Sequence, residues 1–263
     1  MDNSCIFDGE ATNLNENGCL DYIEGYMPHS IEGEYGIYVD RDQFKKLYSS
    51  AQGQITKEGR FGKLIFGLAA DPDGPKTWLD IGTWNGRGTT TCILDGFQMS
   101  DSDQKKRVSI ELHPFMYDVA SENLKDHPAV SQITFLKGTL GDDKAEQYLL
   151  FPEDRDRLND MHYRINFETD IYLWRQAFTN EPPITLPFEP EAAVLDGGEY
   201  TGYVDWQYLP KGQLKYVFLD DAAVLKNDKV RKELLQSSEW TLLEEDMTDR
   251  NGWSVFVKTD NKN

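Results

Sequence analysis

The stretch Thr77-Trp78-Leu79-Asp80-Ile81-Gly82-Thr83-Trp84-Asn85-Gly86-Arg87-Gly88-Thr89-Thr90-Thr91 decides how the rest of the chain is read. Thr77–Ile81 is a short, largely apolar run that reads as a strand. It enters a turn built on Gly82, Gly86 and Gly88, and Gly88–Leu94 then reads as a helix. Glycines at such a joint permit left-handed φ and close approach of a ligand, and the free N–H groups of a helix start favour anions. Two common ligand loops are excluded by the letters. A phosphate-binding loop needs Gly-Lys-Ser/Thr, and the chain offers Arg87-Gly88. A dinucleotide fingerprint needs Gly-x-Gly-x-x-Gly. Counted from Gly82 the second glycine is Trp84, and counted from Gly86 the third is Thr91.

Outward from this turn the chain alternates. Strands are expected at Arg107–Glu111, Ile133–Leu136, Ala192–Leu195 (running through Asp196) and Leu214–Leu219. Helices are expected at Phe115–Leu124, Asp142–Leu150, Tyr200–Leu209 and Asn227–Leu235. Trp240–Glu244 and Trp253–Lys258, with Asn251-Gly252 between them, read as a closing antiparallel hairpin. The fold class is therefore α/β: a Rossmann-like, doubly wound, mostly parallel seven-stranded sheet with a C-terminal antiparallel hairpin. Upstream, residues 1–57 read as an N-terminal arm followed by a helix at 40–53, serving as a lid or an oligomer contact. Residues 58–263 form the main domain, opened by a helix at 58–70. An insertion at 151–191 interrupts it, about 40 residues where 2–6 would connect a helix to a strand. Arm and insertion are each either a lid or a homodimer surface.

Composition narrows the partners. Lys plus Arg is 27 and Asp plus Glu is 46, for a formal net charge of −19. A field of that sign repels phosphate backbones and anionic lipid, so nucleic acid and membrane are poor partners, and a neutral or cationic small molecule or glycan fits better. Three cysteines, Cys5, Cys19 and Cys92, make no disulfide framework, and no apolar window is long enough to span a membrane. With an acidic N-terminus, this leads to the expectation of a cytoplasmic protein.

On the residues Asp80-Ile81-Gly82-Thr83-Trp84-Asn85-Gly86, the chain resembles the class I (Rossmann-like) S-adenosylmethionine-dependent methyltransferases, whose first motif is an acid, any residue, glycine, a variable stretch and a second glycine. Their second motif, an acid ending the next strand, matches Glu111 in VSIELHP. The resemblance implies S-adenosylmethionine held by Asp80, Gly82, Thr83, Trp84, Asn85 and Gly86, with Glu111 on the ribose hydroxyls and Leu112 and His113 beside it. It also places Gly141 and Asp142, after the third strand, near the adenine, and counts Asp196 among the cofactor contacts.

The second constellation is acidic. Asp196 closes the fourth strand in AVLDGGEY, and Asp220-Asp221 close the fifth in VFLDDAAVLK. Adjacent strands would bring these carboxylates within reach of one ion, and clustered carboxylates repel unless a cation or proton is shared. Oxygen ligands suit Mg²⁺ or another hard divalent cation. The alternative reading has Asp196 and Asp221 as caps of the helices that follow. The pattern is similar to the cation-dependent O-methyltransferases and to the macrocin-type sugar O-methyltransferases, which implies Asp196, Asp220 and Asp221 as metal ligands. The catechol-type enzymes have a lysine three residues after the first acid. This chain has Glu199 there, so a lysine base at that place is excluded.

The resemblance thus implies a methyl transfer to a hydroxyl. Asp196, Glu199 and His162 are the candidates for accepting the proton. Tyr200 and Trp174 are expected to face the acceptor and stack a ring. The expected acceptor is a sugar or polysaccharide. A phenol or natural product, or a non-catalytic binding module on the same fold, remains open.

Overall fold

The computed structural model describes residues 48–100, 102–149 and 182–259, with residues 170, 171, 173–175 and 177 between the last two stretches. The N-terminal arm before residue 48, His162 and most of the insertion lie outside the described residues.

Seven strands form one sheet: β1 (Thr77–Ile81), β2 (Lys106–Glu111), β3 (Ile133–Lys137), β4 (Ala192–Leu195), β5 (Tyr216–Asp220), β6 (Trp240–Asp246) and β7 (Trp253–Lys258). Their spatial order is β3-β2-β1-β4-β5-β7-β6. The first five run parallel, and β7 lies antiparallel between β5 and β6. The order reverses at β1, which pairs β2 on one side and β4 on the other, so a crevice opens beyond the carboxyl ends of these strands.

The two-residue period sorts the side chains. Trp78, Val194, Phe218, Trp253 and Val255 face one side, where they meet Phe61, Ile65, Ile93 and Phe97. Those partners come from α1 (Arg60–Ala70) and α2 (Thr89–Ser100). Leu79, Ile81, Ile110, Leu195, Val217 and Leu219 face the other side, against Trp206, Val230 and Leu234. Those belong to α4 (Gly202–Tyr208) and α5 (Leu225–Gln236). A further helix, α3 (Pro114–Leu124), begins with proline in its first turn, where the missing N–H is harmless.

Several expected bounds shift. The helix expected at Asp142–Leu150 is a 3-10 helix, Asp143–Tyr148, begun by the Asp142 carboxylate accepting from Lys144 N–H at 3.0 Å. The helix expected at 40–53 ends within the described residues at Ser50, and Gly53 then runs so close to Arg87 that a Cβ there would lie 2.2 Å from its carbonyl oxygen. α2 and β6 each extend beyond their expected ends: Phe97 continues the packing of α2 on α1, and Glu245 and Asp246 continue the ladder of β6 with Ser254 and Trp253 of β7. No described helix is long and apolar enough to cross a membrane. Cys92 is buried.

Candidate functional site

The carboxyl ends of β1, β2, β4 and β5 stand in register: Ile81 is opposite Ile110 and Leu195, and Leu195 is opposite Leu219. The next residues, Gly82, Glu111, Asp196 and Asp220, therefore gather at one edge. Gly82 continues the ladder, donating its N–H to Ile110 at 2.9 Å, while Asp196 N–H donates to Ile81 at 2.9 Å. With φ at +89° and the Asp196 carbonyl oxygen 2.0 Å from where a Cβ would sit, position 82 accepts only glycine.

Glu111 turns toward the bend. Its Oε2 accepts the Trp84 N–H at 2.6 Å and its Oε1 the His113 N–H at 2.9 Å. Trp84 reaches it by adopting φ +48°, an uncommon conformation for a bulky residue, with its ring edge-on to Tyr48 at 5.5 Å. Burial pushes the Glu111 carboxyl up to about 7, against the lowering effect of those N–H donors. The bend and the acid that ends β2 thus form one continuous structure.

The rest of the first motif lies behind that surface. Asp80 is fully buried and pairs with the equally buried Arg107. It also accepts from Thr89 at 3.1 Å, Thr90 at 2.8 Å and Ser109 at 3.1 Å. Arg107 further donates to the Thr90 carbonyl at 2.6 Å. Asn85, also without exposed surface, donates to the carbonyls of Tyr48 and Ala51 at 3.0 Å and accepts from Arg87 N–H. Thr83 Oγ1 bonds Ser109 and Ile110. The side chains of Asp80 and Asn85, both expected among the cofactor contacts, are taken up by these partners and brace the bend. Gly86, at φ +80°, packs against Leu124.

His113 caps α3, its Nδ1 accepting from Phe115 N–H at 3.2 Å, and burial lowers its imidazole to about 4. It is therefore neutral near pH 7. Leu112 is half-buried beside it. Gly141 is a packing glycine against Val204 and Ala145. Asp142 accepts from Tyr208 Oη at 2.6 Å. Both lie beyond the end of β3, with Gly138 (φ +131°) and Thr139 closer to the strand.

The acidic constellation assembles as expected: oxygens of Asp196, Asp220 and Asp221 lie within 4.8 Å of one another. The sequence reading missed its cations. Lys226 Nζ donates to Asp196 Oδ1 at 2.7 Å and to Asp221 Oδ2 at 2.8 Å. Arg250 holds both oxygens of Asp220. Burial raises Asp196 well above the usual carboxylate range despite Lys226, and Lys226 in turn is held charged by the acids around it. Asp221 is lowered, its burial outweighed by Lys226, Asn251 and Arg250. Of the two helix-cap readings, neither is realised: Val224 occupies the cap of α5 and Thr201 that of α4.

Beside this cluster, burial pushes Glu199 up to about 7. The Asp170 carboxylate, from the insertion, receives Tyr200 N–H at 3.2 Å and is itself raised to about 6, chiefly by burial. Asp205 on α4, raised by burial to about 8, lies against Gly197. Neither Asp170 nor Asp205 was singled out in the sequence. The ring-stacking expectation is overturned: Tyr200 and Trp174 are 1% and 0% exposed and pack together with Ile171 and Val204 in a core of their own.

No protein-family model matches the chain, and no curated protein matches its sequence. Its shape does find likenesses. Cofactor-bound Rv0187 from MTB is 12% identical, with a TM-score of 0.51 over 83% of this chain and 89% of that one. The O-methyltransferase from Bacillus cereus in complex with SAH is 13% identical, with a TM-score of 0.51 over the same shares of the two chains. At such identities the likeness is one of fold, and it establishes this chain as a Rossmann-like α/β protein whose seven-stranded sheet ends in an antiparallel pair.

Proposed function

We propose that this chain is an O-methyltransferase that uses S-adenosylmethionine. The observation that carries the reading is the Glu111 carboxylate, buried at the end of β2 and bonded at 2.6 Å to the Trp84 N–H of the glycine-rich bend. A carboxylate offers about four lone-pair sites, so the backbone donors leave room for a ribose hydroxyl. The residues suit the cofactor: Glu111 would receive the ribose, with Leu112 and His113 beside the base and Gly82 and Asp196 at the reactive end. When bound, S-adenosylmethionine supplies a methyl group on a sulfonium for in-line transfer to an oxygen. The likeness in fold to an O-methyltransferase solved with SAH supports the same reading.

Glu199 is the proton acceptor in this reading. It stands near Lys226 and Asp170 and titrates near neutrality, where a general base works best. Asp196, bonded to Lys226, serves to position rather than to accept a proton. The acceptor we favour is a sugar or polysaccharide hydroxyl. Asp170, Glu199 and Asp196 provide hydrogen-bond acceptors in quantity, which suits a polyol.

Calorimetry of S-adenosylhomocysteine tests the cofactor. Removing a charged acceptor of a hydroxyl, in Glu111→Ala, is expected to weaken binding by roughly 10- to 150-fold. Wild-type protein that takes up no S-adenosylhomocysteine would end the enzyme reading. Tight binding with no turnover on any hydroxyl compound would favour the binding module.

A further inference from the structure

The carboxylates expected to hold a divalent cation are already provided with positive charge by the chain itself. A cation would need free oxygens on Asp196, Asp220 and Asp221. Lys226 takes one from Asp196 and one from Asp221, at 2.7 and 2.8 Å, and Arg250 takes both of Asp220. The Lys226 side chain is also the deeper group, 9% exposed against 20% for Asp196 and 15% for Asp221. The ligand set therefore does not fit a bound divalent ion while Lys226 stands where it does: Mg²⁺ demands several short oxygen contacts and would meet an ammonium bonded to the same carboxylates.

Lys226 is held there by construction. Asn227, its neighbour, donates to the carbonyls of Leu195 and Asp220 at 2.9 and 2.7 Å, pinning the first turn of α5 to the ends of β4 and β5. Gly202 lets α4 approach the Lys226 carbonyl, which a Cβ at 202 would meet at 2.7 Å. Asp221 adopts φ +51°, a conformation Asp tolerates better than most residues, and from there its carboxylate reaches the ammonium.

We propose that the Lys226 ammonium occupies the seat of a divalent cation, and that the site works without metal. The positive charge at the ends of β4 and β5 then belongs to the chain and is present with no ion added. The inference rests on the methyltransferase reading for its chemistry, but its test does not depend on turnover.

Mn²⁺ is titrated by calorimetry and by electron paramagnetic resonance into wild-type protein and into Lys226→Met. Wild type is expected to take up no Mn²⁺ at Asp196. Lys226→Met, with the carboxylates uncovered, is expected to bind it at least about tenfold more tightly. Mn²⁺ binding by wild type that Asp196→Asn abolishes would overturn the proposal, and so would a folded Lys226→Met that gains none. Lys226→Gln, which keeps a donor among the acids, is the second variant should the first fail to fold, and the same gain is expected of it. S-adenosylhomocysteine is titrated into the same samples, so a failure of the transferase reading shows separately from a failure of the metal-free one.

Discussion

Removing Arg107 should cripple the bend without touching any ligand. Its guanidinium and the Asp80 carboxylate are both 0% exposed, and the pair sits beneath the glycine-rich turn, between β1, β2 and the start of α2. In Arg107→Met the carboxylate keeps three hydroxyl donors, Thr89, Thr90 and Ser109, but loses its only cation among the described residues. Leaving a buried charge without its partner costs about 3–5 kcal/mol, a large share of the 5–15 kcal/mol that holds a typical domain folded. Asp80→Asn leaves the guanidinium stranded in the same way. The double variant Asp80→Asn/Arg107→Met carries no buried charge, so it should cost at least about 2 kcal/mol less than the sum of the single changes. Urea unfolding followed by circular dichroism gives the three values, and S-adenosylhomocysteine calorimetry on the folded double variant gives the fourth. Additivity to within about 0.5 kcal/mol would refute the claim that the two charges form one unit. A stable double variant that loses affinity about a hundredfold would refute the burial argument and return Asp80 to the ligand.

Two further outcomes follow from the raised carboxyls. Glu199, pushed by burial to about 7, should give a rate that rises with pH through that value as the carboxylate form appears. Glu199→Gln should lower kcat by roughly 10²- to 10⁴-fold and abolish the rising limb, and an unchanged pH–rate profile would remove it from the mechanism. Asp205 has a folded-state value of about 8, above that of an unfolded aspartate, so the native protein keeps a proton the unfolded chain releases. Its contribution to stability is full in acid and declines as pH rises from about 4 to about 8. Asp205→Asn should therefore stabilise the protein at pH 8.5 relative to wild type, by on the order of 2–5 kcal/mol, and much less at pH 5. Melting curves at the two pH values measure this, and equal shifts at both would show that Asp205 is not held protonated.

The stretch 77–91 and the alternation around it made the sheet legible. Apolar runs of strand length separated by helical ones leave a parallel sheet few other arrangements, and the Asn251-Gly252 turn marked the antiparallel end. The acids at the strand ends were legible for the same reason: each closes a run that a strand must bury. The 3-10 turn at Asp143–Tyr148 was less so, because local hydrogen bonds from Asp142 compete with a regular helix start.

Sequence by itself determined which side chains arrive at the carboxyl edge, since strand length and direction are written in local patterns of two and 3.6 residues. Only the tertiary structure decided what each of them does there. Asp80 and Glu111 are both acids at strand ends, yet one is turned into the sheet by Arg107 and the other toward the bend. Asp196 and Asp220 meet their cations from α5 and from the loop between β6 and β7, thirty residues further along the chain in each case. Tyr200 and Trp174 come together across about the same separation and seal each other from solvent. Charge pairing and burial are set by distances in space, and no local pattern encodes a partner that far away.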